Sequence, residues 1–313
     1  MTRIGLLCMN PIVSVSDLHK SFGAFQALKG VNFNVYPGDV FGFLGPNGAG
    51  KSTAMRCMLG LIHADQGDIQ IFNQPLQSNK TNILGKIGNI IEKPDFYKYL
   101  SAERNLEIFA RMAQHPIHTR TLHEILDFVG LLERRKDKVK GFSHGMRQRL
   151  GIAQTLLADP DLIVLDEPTT GLDPQGIIDV RELIIRLKEE KGKTIILSSH
   201  QLQEVEMIAN RMVIISKGKT VIEGEVASLL NAQDCIVKMH TTNNDHVRQI
   251  LHVSYSTTTL HCDPNQGLSF PLQKEKIPHL IQSCVENNIG IYEVESKKQL
   301  ENYFIQMIQN ETV

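Results

Sequence analysis

The stretch Gly45-Pro46-Asn47-Gly48-Ala49-Gly50-Lys51-Ser52 has a spacing suited to holding phosphate. It fits the pattern G-x-x-x-x-G-K-[ST]. Glycines let a backbone wrap an anion with its N–H groups turned inward. A helix starting at the lysine adds the partial positive charge of its N-terminus. Lys51 has the length to reach the β- and γ-phosphates of a nucleotide, and the Ser52 hydroxyl is a ligand for Mg²⁺, with Thr53 next in the same cradle. The plain alternative is a glycine turn beside a surface lysine. The flanks argue against it: Val40 to Leu44 is a short apolar run, and Met55, Met58, Leu59 and Ile62 recur at helical spacing. A second candidate is Leu162-Ile163-Val164-Leu165-Asp166-Glu167. Acids at the carboxyl end of a buried parallel strand lie at the ligand edge of such a sheet. Asp166 then suits Mg²⁺, and Glu167 suits a general base for an attacking water. Alone, an Asp-Glu pair more often caps a strand end; beside the first loop it reads as chemistry.

These residues need a scaffold, and the patterning supplies one. Val31, Phe33 and Val35 alternate with polar residues before the turn Tyr36-Pro37-Gly38-Asp39. From about Ser101 to Ala158 the pattern is mostly helical, with faces at Leu106, Phe109, Ala110 and Ala113 and at Leu122, Ile125, Leu126 and Val129. A helix is expected over Ile177 to Leu187, a strand over Thr194 to Ser198, and a closing hairpin at Val213–Ser216 and Thr220–Ile222. Strands alternating with helices predict an α/β domain with a largely parallel sheet. Beyond about Leu230 the character changes. Strands at Cys235–Met239, Gly267–Leu272 and Ile289–Val294 flank helix faces at Val247, Ile250, Leu251 and at Ile277, Leu280, Ile281, Cys284. A last helix is expected through Leu300, Phe304, Met307 and Ile308. That order suits a small α+β unit with ferredoxin-like packing.

Bulk properties narrow the function. Lys and Arg number 33 against 34 Asp and Glu, so no global field points to nucleic acid or anionic lipid. Five scattered cysteines, with no CxxC pair, suggest neither a zinc site nor a disulfide framework and suit a reducing compartment. The apolar runs fall far short of the ~20 residues of a spanning helix. Any membrane role therefore has to come through a partner chain. Residues 1–11 read as a loose N-terminal extension.

The ordered set of motifs over roughly residues 12 to 230 resembles the nucleotide-binding subunits of ATP-binding-cassette (ABC) transporters. Phe22, in Lys20-Ser21-Phe22-Gly23, matches the aromatic that stacks on adenine in that family. Gly45 to Ser52 matches its Walker A loop and Asp166-Glu167-Pro168-Thr169 its Walker B strand end. Gly171-Leu172-Asp173-Pro174 matches the D-loop, and His200 in Leu197-Ser198-Ser199-His200 the switch histidine. The signature, usually Leu-Ser-Gly-Gly-Gln, stands here as Phe142-Ser143-His144-Gly145-Met146. Singly, Phe22 reads as a core aromatic, His200 as an ordinary strand-end histidine and Ser143 as a helix N-cap; together and in order they read as a cassette.

The resemblance implies a P-loop NTPase of ABC type. Its expected parts are an N-terminal antiparallel β part, a mixed sheet with helices, a helical subdomain at about 95–158, and an α+β accessory domain at 231–313. It implies ATP and Mg²⁺ as ligands, with Glu167, His200 and Lys51 catalytic. It implies a second copy whose Ser143, His144, Gly145 and Met146 face the first copy's ATP, and a separate transmembrane permease. The location implied is cytoplasmic, on the inner face of the membrane. Glu92 stands where the family usually has a metal-coordinating glutamine, so it is a further Mg²⁺ candidate. Ile90-Ile91-Glu92-Lys93-Pro94-Asp95-Phe96-Tyr97, the Gly145-Met146 signature ending and Leu300-Glu301-Asn302-Tyr303-Phe304 are similar to bacitracin-resistance and lantibiotic-immunity export ATPases. A ribosome- or DNA-directed switch of the same superfamily would want two cassettes or long coiled coils. A GTPase would want Asn-Lys-x-Asp, and Asn79-Lys80-Thr81-Asn82 lacks the aspartate.

Overall fold

The computed structural model describes residues 10–91, 94–113, 117–230, 234–255, 261–263 and 267–298. Two compact units divide the chain, one through Gly224 and one from Glu225. The first opens on a hairpin of β1 (Val13–Phe22) and β2 (Phe25–Val35), paired antiparallel from Val13↔Val35 to Phe22↔Phe25 with register shifts between Val15 and Ser21. Next come β3 (Val40–Leu44), α1 (Lys51–Met58), β4 (Gln66–Ile71) and β5 (Gln74–Pro75). The order β2-β1-β4-β5 forms the expected antiparallel sheet.

The chain continues through α2 (Leu76–Leu84), β6 (Ile87–Ile90), α3 (Ala102–Met112), α4 (Thr119–Phe128) and α5 (His144–Thr155). It then runs through β7 (Leu162–Leu165), α6 (Pro174–Glu189), β8 (Thr194–Ser199), α7 (Leu202–Ile208), β9 (Arg211–Ser216) and β10 (Lys219–Glu225). The second sheet has the order β10-β9-β3-β8-β7-β6, parallel from β9 through β6. Its inner strands are buried on both faces, which is why β3 and β7 read as unbroken apolar runs rather than alternating ones. Lys217 and Gly218 both adopt positive φ between β9 and β10, the backbone of a tight hairpin turn. The two sheets meet in one core, where the Phe33 and Phe43 rings pack edge to face at 4.8 Å.

Helix faces follow the apolar spacing with two corrections. Leu106 and Ala110 of α3 are buried, but the helix ends at Met112 and Ala113 is exposed. Ile62 is not on α1, which stops at Met58; Gly60 at φ +61° turns the chain away. Ser101 caps α3 by accepting from Arg104 N at 3.2 Å. Buried Asn105 ties that helix to the segment before it, accepting from Tyr97 N at 2.8 Å and donating to Tyr97 O at 3.1 Å.

After α8 (Val226–Leu230), the second unit runs β11 (Asp234–Thr241), α9 (Asn244–Tyr255), β12 (His261–Asp263), β13 (Gly267–Gln273), α10 (Ile277–Glu286) and β14 (Ile291–Lys298). The sheet order is β12-β13-β11-β14, antiparallel throughout. This is the β-α-β-β-α-β ferredoxin-like arrangement expected. Val237, Met239, Leu268, Phe270 and Leu272 pack against Val247, Leu251, Leu280 and Cys284. Residues 1–9 and the expected helix through Leu300 to Ile308 lie outside the described residues.

Candidate functional site

Three neighbouring parallel strands end side by side. The ladder pairs Leu44 with Ser199 and Leu165 with Leu197. Gly45, Asp166 and His200, which follow those strand ends, therefore emerge on one edge of the sheet. That edge, at the carboxyl ends of the strands, is where open α/β sheets bind ligands.

The loop after β3 is shaped by close approaches. A Cβ on Gly45 would sit 2.3 Å from the Ile215 carbonyl oxygen, so no side chain fits there. Gly50, at φ +107°, is the N-cap of α1, and a Cβ on it would meet Leu28 Cδ2 at 2.8 Å. Lys51 is 5% exposed and turns back over the loop, with Nζ donating to Gly45 O at 2.7 Å and Pro46 O at 3.1 Å. Pro46, Asn47, Gly48 and Ala49 complete the curve, and Ser52 and Thr53 occupy the next two positions of α1.

Glu167 is the point where the other elements converge. Its Oε1 lies 3.6 Å from Lys51 Nζ and 3.4 Å from His200 Nδ1. The histidine contact is within ion-pair range but off hydrogen-bond geometry, and Nδ1 is otherwise buried without a hydrogen-bond partner. Thr170 Oγ1 donates to Glu167 Oε2 at 2.8 Å. Burial pushes the Glu167 carboxyl up; the Thr170 bond and the His200 and Lys51 charges together outweigh it and hold it below its ordinary value. Glu167 also sits at φ +47°, a left-handed backbone uncommon for a side-chain-bearing residue and typical of functional turns. Ser198, fully buried, donates its hydroxyl to Asp166 Oδ1 and accepts from Glu167 N at 2.8 Å. Ser52, Asp166, Glu167 and Thr170 share the lining of a cavity of about 270 Å³ with His144 and Gln148. The oxygen donors of Ser52 and Asp166 are of the kind a hard divalent cation takes. The arrangement can bind a polyphosphate through amides and an ammonium, and it presents an ionised carboxylate beside it.

The remaining candidates are placed more loosely. Ser143 caps α5, accepting from Met146 N at 3.2 Å, so that N–H is already used within the helix start. His144 turns toward the loop after Glu167, its Nδ1 2.9 Å from Gly171 O. Gly145 packs against the start of α6, where Asp173 is the N-cap and accepts from Gly176 N at 3.0 Å. Phe22 sits at the β1–β2 hairpin tip, half exposed, with Lys20 Nζ 5.6 Å from its ring centroid. Ala27, two residues beyond that tip, approaches Gly50, which sets the hairpin beside the loop. Glu92 lies outside the described residues. Ser198 and Thr170 went unrecognised in the sequence as site residues, because nothing about an isolated hydroxyl announces its neighbour across two strands.

A protein-family model described as "ABC transporter" matches residues 28–170. The bacitracin transport ATP-binding protein BcrA of Bacillus licheniformis is 39% identical over 310 residues, covering 97% of this chain and 100% of BcrA. The lantibiotic transport ATP-binding protein SrtF of Streptococcus pyogenes is 43% identical over 223 residues, 71% of this chain and 95% of SrtF. A solved ATP-binding cassette, dimeric in a post-hydrolysis state with ADP and phosphate, superposes at a TM-score of 0.61 with 26% identity, covering 68% of this chain and 98% of that one.

Proposed function

The chain belongs to the ABC transporter family as an ATP-binding subunit that hydrolyses ATP, and from that premise we propose that it powers an exporter of peptide antibiotics through a separate permease. The observation that carries the catalytic part is the meeting of Lys51, Glu167 and His200 at the ends of β3, β7 and β8. In this reading the loop amides and Lys51 bind the phosphates, and Phe22 supports the adenine. Glu167, held below its ordinary carboxyl value and so ionised at neutral pH, orients the attacking water or takes its proton. His200 meets the γ-phosphate. Ser52 and Asp166 would hold Mg²⁺, which supplies neutralisation of phosphate charge when bound.

Two copies pair head to tail, each offering Ser143 and Gly145 to the nucleotide of the other, so that ATP binding closes the pair and hydrolysis opens it. The permease is reached through the groove beside residues 94–97. A cavity of about 950 Å³ lined by Pro94, Asp95, Phe96, Lys98, Val139 and Arg147, with exposed Tyr97 and Tyr99 nearby, supports that docking. Among the described residues no helix is long and apolar enough to cross a membrane. In this reading the permease holds the subunit at the cytoplasmic face.

The test has two arms. Glu167→Gln protein mixed with ATP and Mg²⁺ should elute as a stable dimer on gel filtration; a monomer under saturating ATP counts against the paired mechanism. Cells expressing the chain with its permease should tolerate more bacitracin or lantibiotic, and Lys51→Ala should abolish the gain. Unchanged tolerance with wild-type protein would remove the peptide-export assignment while leaving the ATPase.

A further inference from the structure

One buried carboxylate takes no part in the chemistry above. Glu204, in the first turn of α7, is 6% exposed. Its Oε2 accepts from Thr169 Oγ1 at 2.8 Å and from Ser199 Oγ at 2.7 Å. Thr169 stands two residues after Glu167, and Ser199 one residue before His200. The backbone ladder between β7 and β8 has already ended at Leu165↔Leu197, so past that point side chains hold the two ends together. Ser199 Oγ also accepts from Gln201 N at 3.0 Å, which fixes the turn on the far side of His200. The helix carrying Glu204 is pressed onto β3. A Cβ on Gly42 would lie 2.3 Å from Val205 Cγ1, and the missing side chain is what lets α7 come so close.

We propose that Glu204 is a positioning residue that sets the separation of Glu167 and His200. It rests on reading those two as a catalytic pair. A buried carboxylate loses its water and needs donors to replace it, and Glu204 takes both of its donors from the two strand-end segments that carry Glu167 and His200. Both hydroxyls converge on a single oxygen, so the group works as a two-point clamp across the gap between two strand ends. Reacting groups must be held to within a fraction of an ångström, and small displacements are felt strongly in rate.

The experiment measures steady-state ATP turnover, ATP affinity and melting temperature on the full chain. Glu204→Ala should lower kcat by about tenfold or more with ATP affinity held within about twofold, since the phosphate loop is untouched. Glu204→Gln should retain turnover within about threefold, because an amide oxygen can accept both hydroxyls. Thr169→Val and Ser199→Ala, each deleting one donor, should give intermediate losses in kcat and keep the prediction testable if the alanine variant fails to fold. Turnover of Glu204→Ala near wild type, a glutamine variant as damaged as the alanine one, or a matching loss of affinity would each overturn the proposal. A wild-type protein that failed to hydrolyse ATP would instead strike the catalytic reading on which it rests.

Discussion

The two units treat burial in opposite ways. In the first, Lys51, Asn105, Gln148, Thr169, Ser198, Ser199 and Glu204 are buried, each a polar group that water would otherwise solvate. In the second, every buried residue among those described is apolar, from Val226 to Ile289. Burying a polar group costs free energy unless partners replace its water. A fold retains such groups where their positions matter more than their packing. Titration shows the same contrast. Burial raises the Cys284 thiol in the second unit with nothing to oppose it. Burial pushes Glu167 the same way in the first, and there Thr170, His200 and Lys51 reverse it. One unit is arranged around a charge, the other around a packed sheet.

The largest effect that would break this contrast lies at Glu167. Glu167→Gln should lower ATP turnover by about 10²–10⁴-fold, the range a positioned general base supplies. Its melting temperature should fall only slightly, since the charge interactions with Lys51 and His200 are lost but Thr170 can still donate to an amide oxygen. A variant that lost stability and kept turnover would put Glu167 in the category of the second unit's residues.

The opposite outcome is expected at Phe270, 1% exposed in the second core. Phe270→Ala should cost about 3–5 kcal/mol of that unit's stability, the transfer term plus a cavity. Two buried cysteines allow the units to be followed separately: Cys57 in α1, raised to about 11 by burial, and Cys284 in α10, also raised. A buried neutral thiol alkylates only on opening. Phe270→Ala should speed alkylation of Cys284, read by mass spectrometry, and leave Cys57 slow, because the two cores share no residue. Saturating ATP should protect Cys57 by linkage. Equal acceleration at both cysteines would show a single cooperative core.

The same division explains what the sequence disclosed. The phosphate loop was legible because its chemistry is local: eight consecutive residues carry both the turn and the ligands. Helix faces and inner strands were legible from period, as at Leu106 and Ala110 or Leu162 to Leu165. β12, three residues at His261–Asp263, is too short to show any period, and β4 is mostly exposed, so neither announced itself. The order of the central sheet, with β3 between β8 and β9, depends on pairings more than 150 residues apart in the chain, as in Val40↔Ile195. Ser198, Thr170 and Glu204 are of the same kind. Each looks like an ordinary polar residue until the third dimension supplies its partner.

The smallest predicted effect is a displacement in pH, and it tests the titration contrast directly. Glu167 has a folded-state pKa below its ordinary 4.5. A depressed carboxyl contributes stability above its unfolded pKa and loses it as pH falls through the folded one. For turnover, the acid limb of kcat/KM reports the free protein, so the wild-type limb attributable to Glu167 should lie below about pH 4.5. Thr170→Val removes the strongest of the influences that lower Glu167 while leaving burial in force. The Glu167 pKa must then rise, and the acid limb must move to higher pH relative to wild type, with the alkaline side unchanged. Profiles that superimpose after scaling would mean that Thr170 does not hold the carboxylate, and Glu167 would then owe its ionised state to Lys51 and His200 alone.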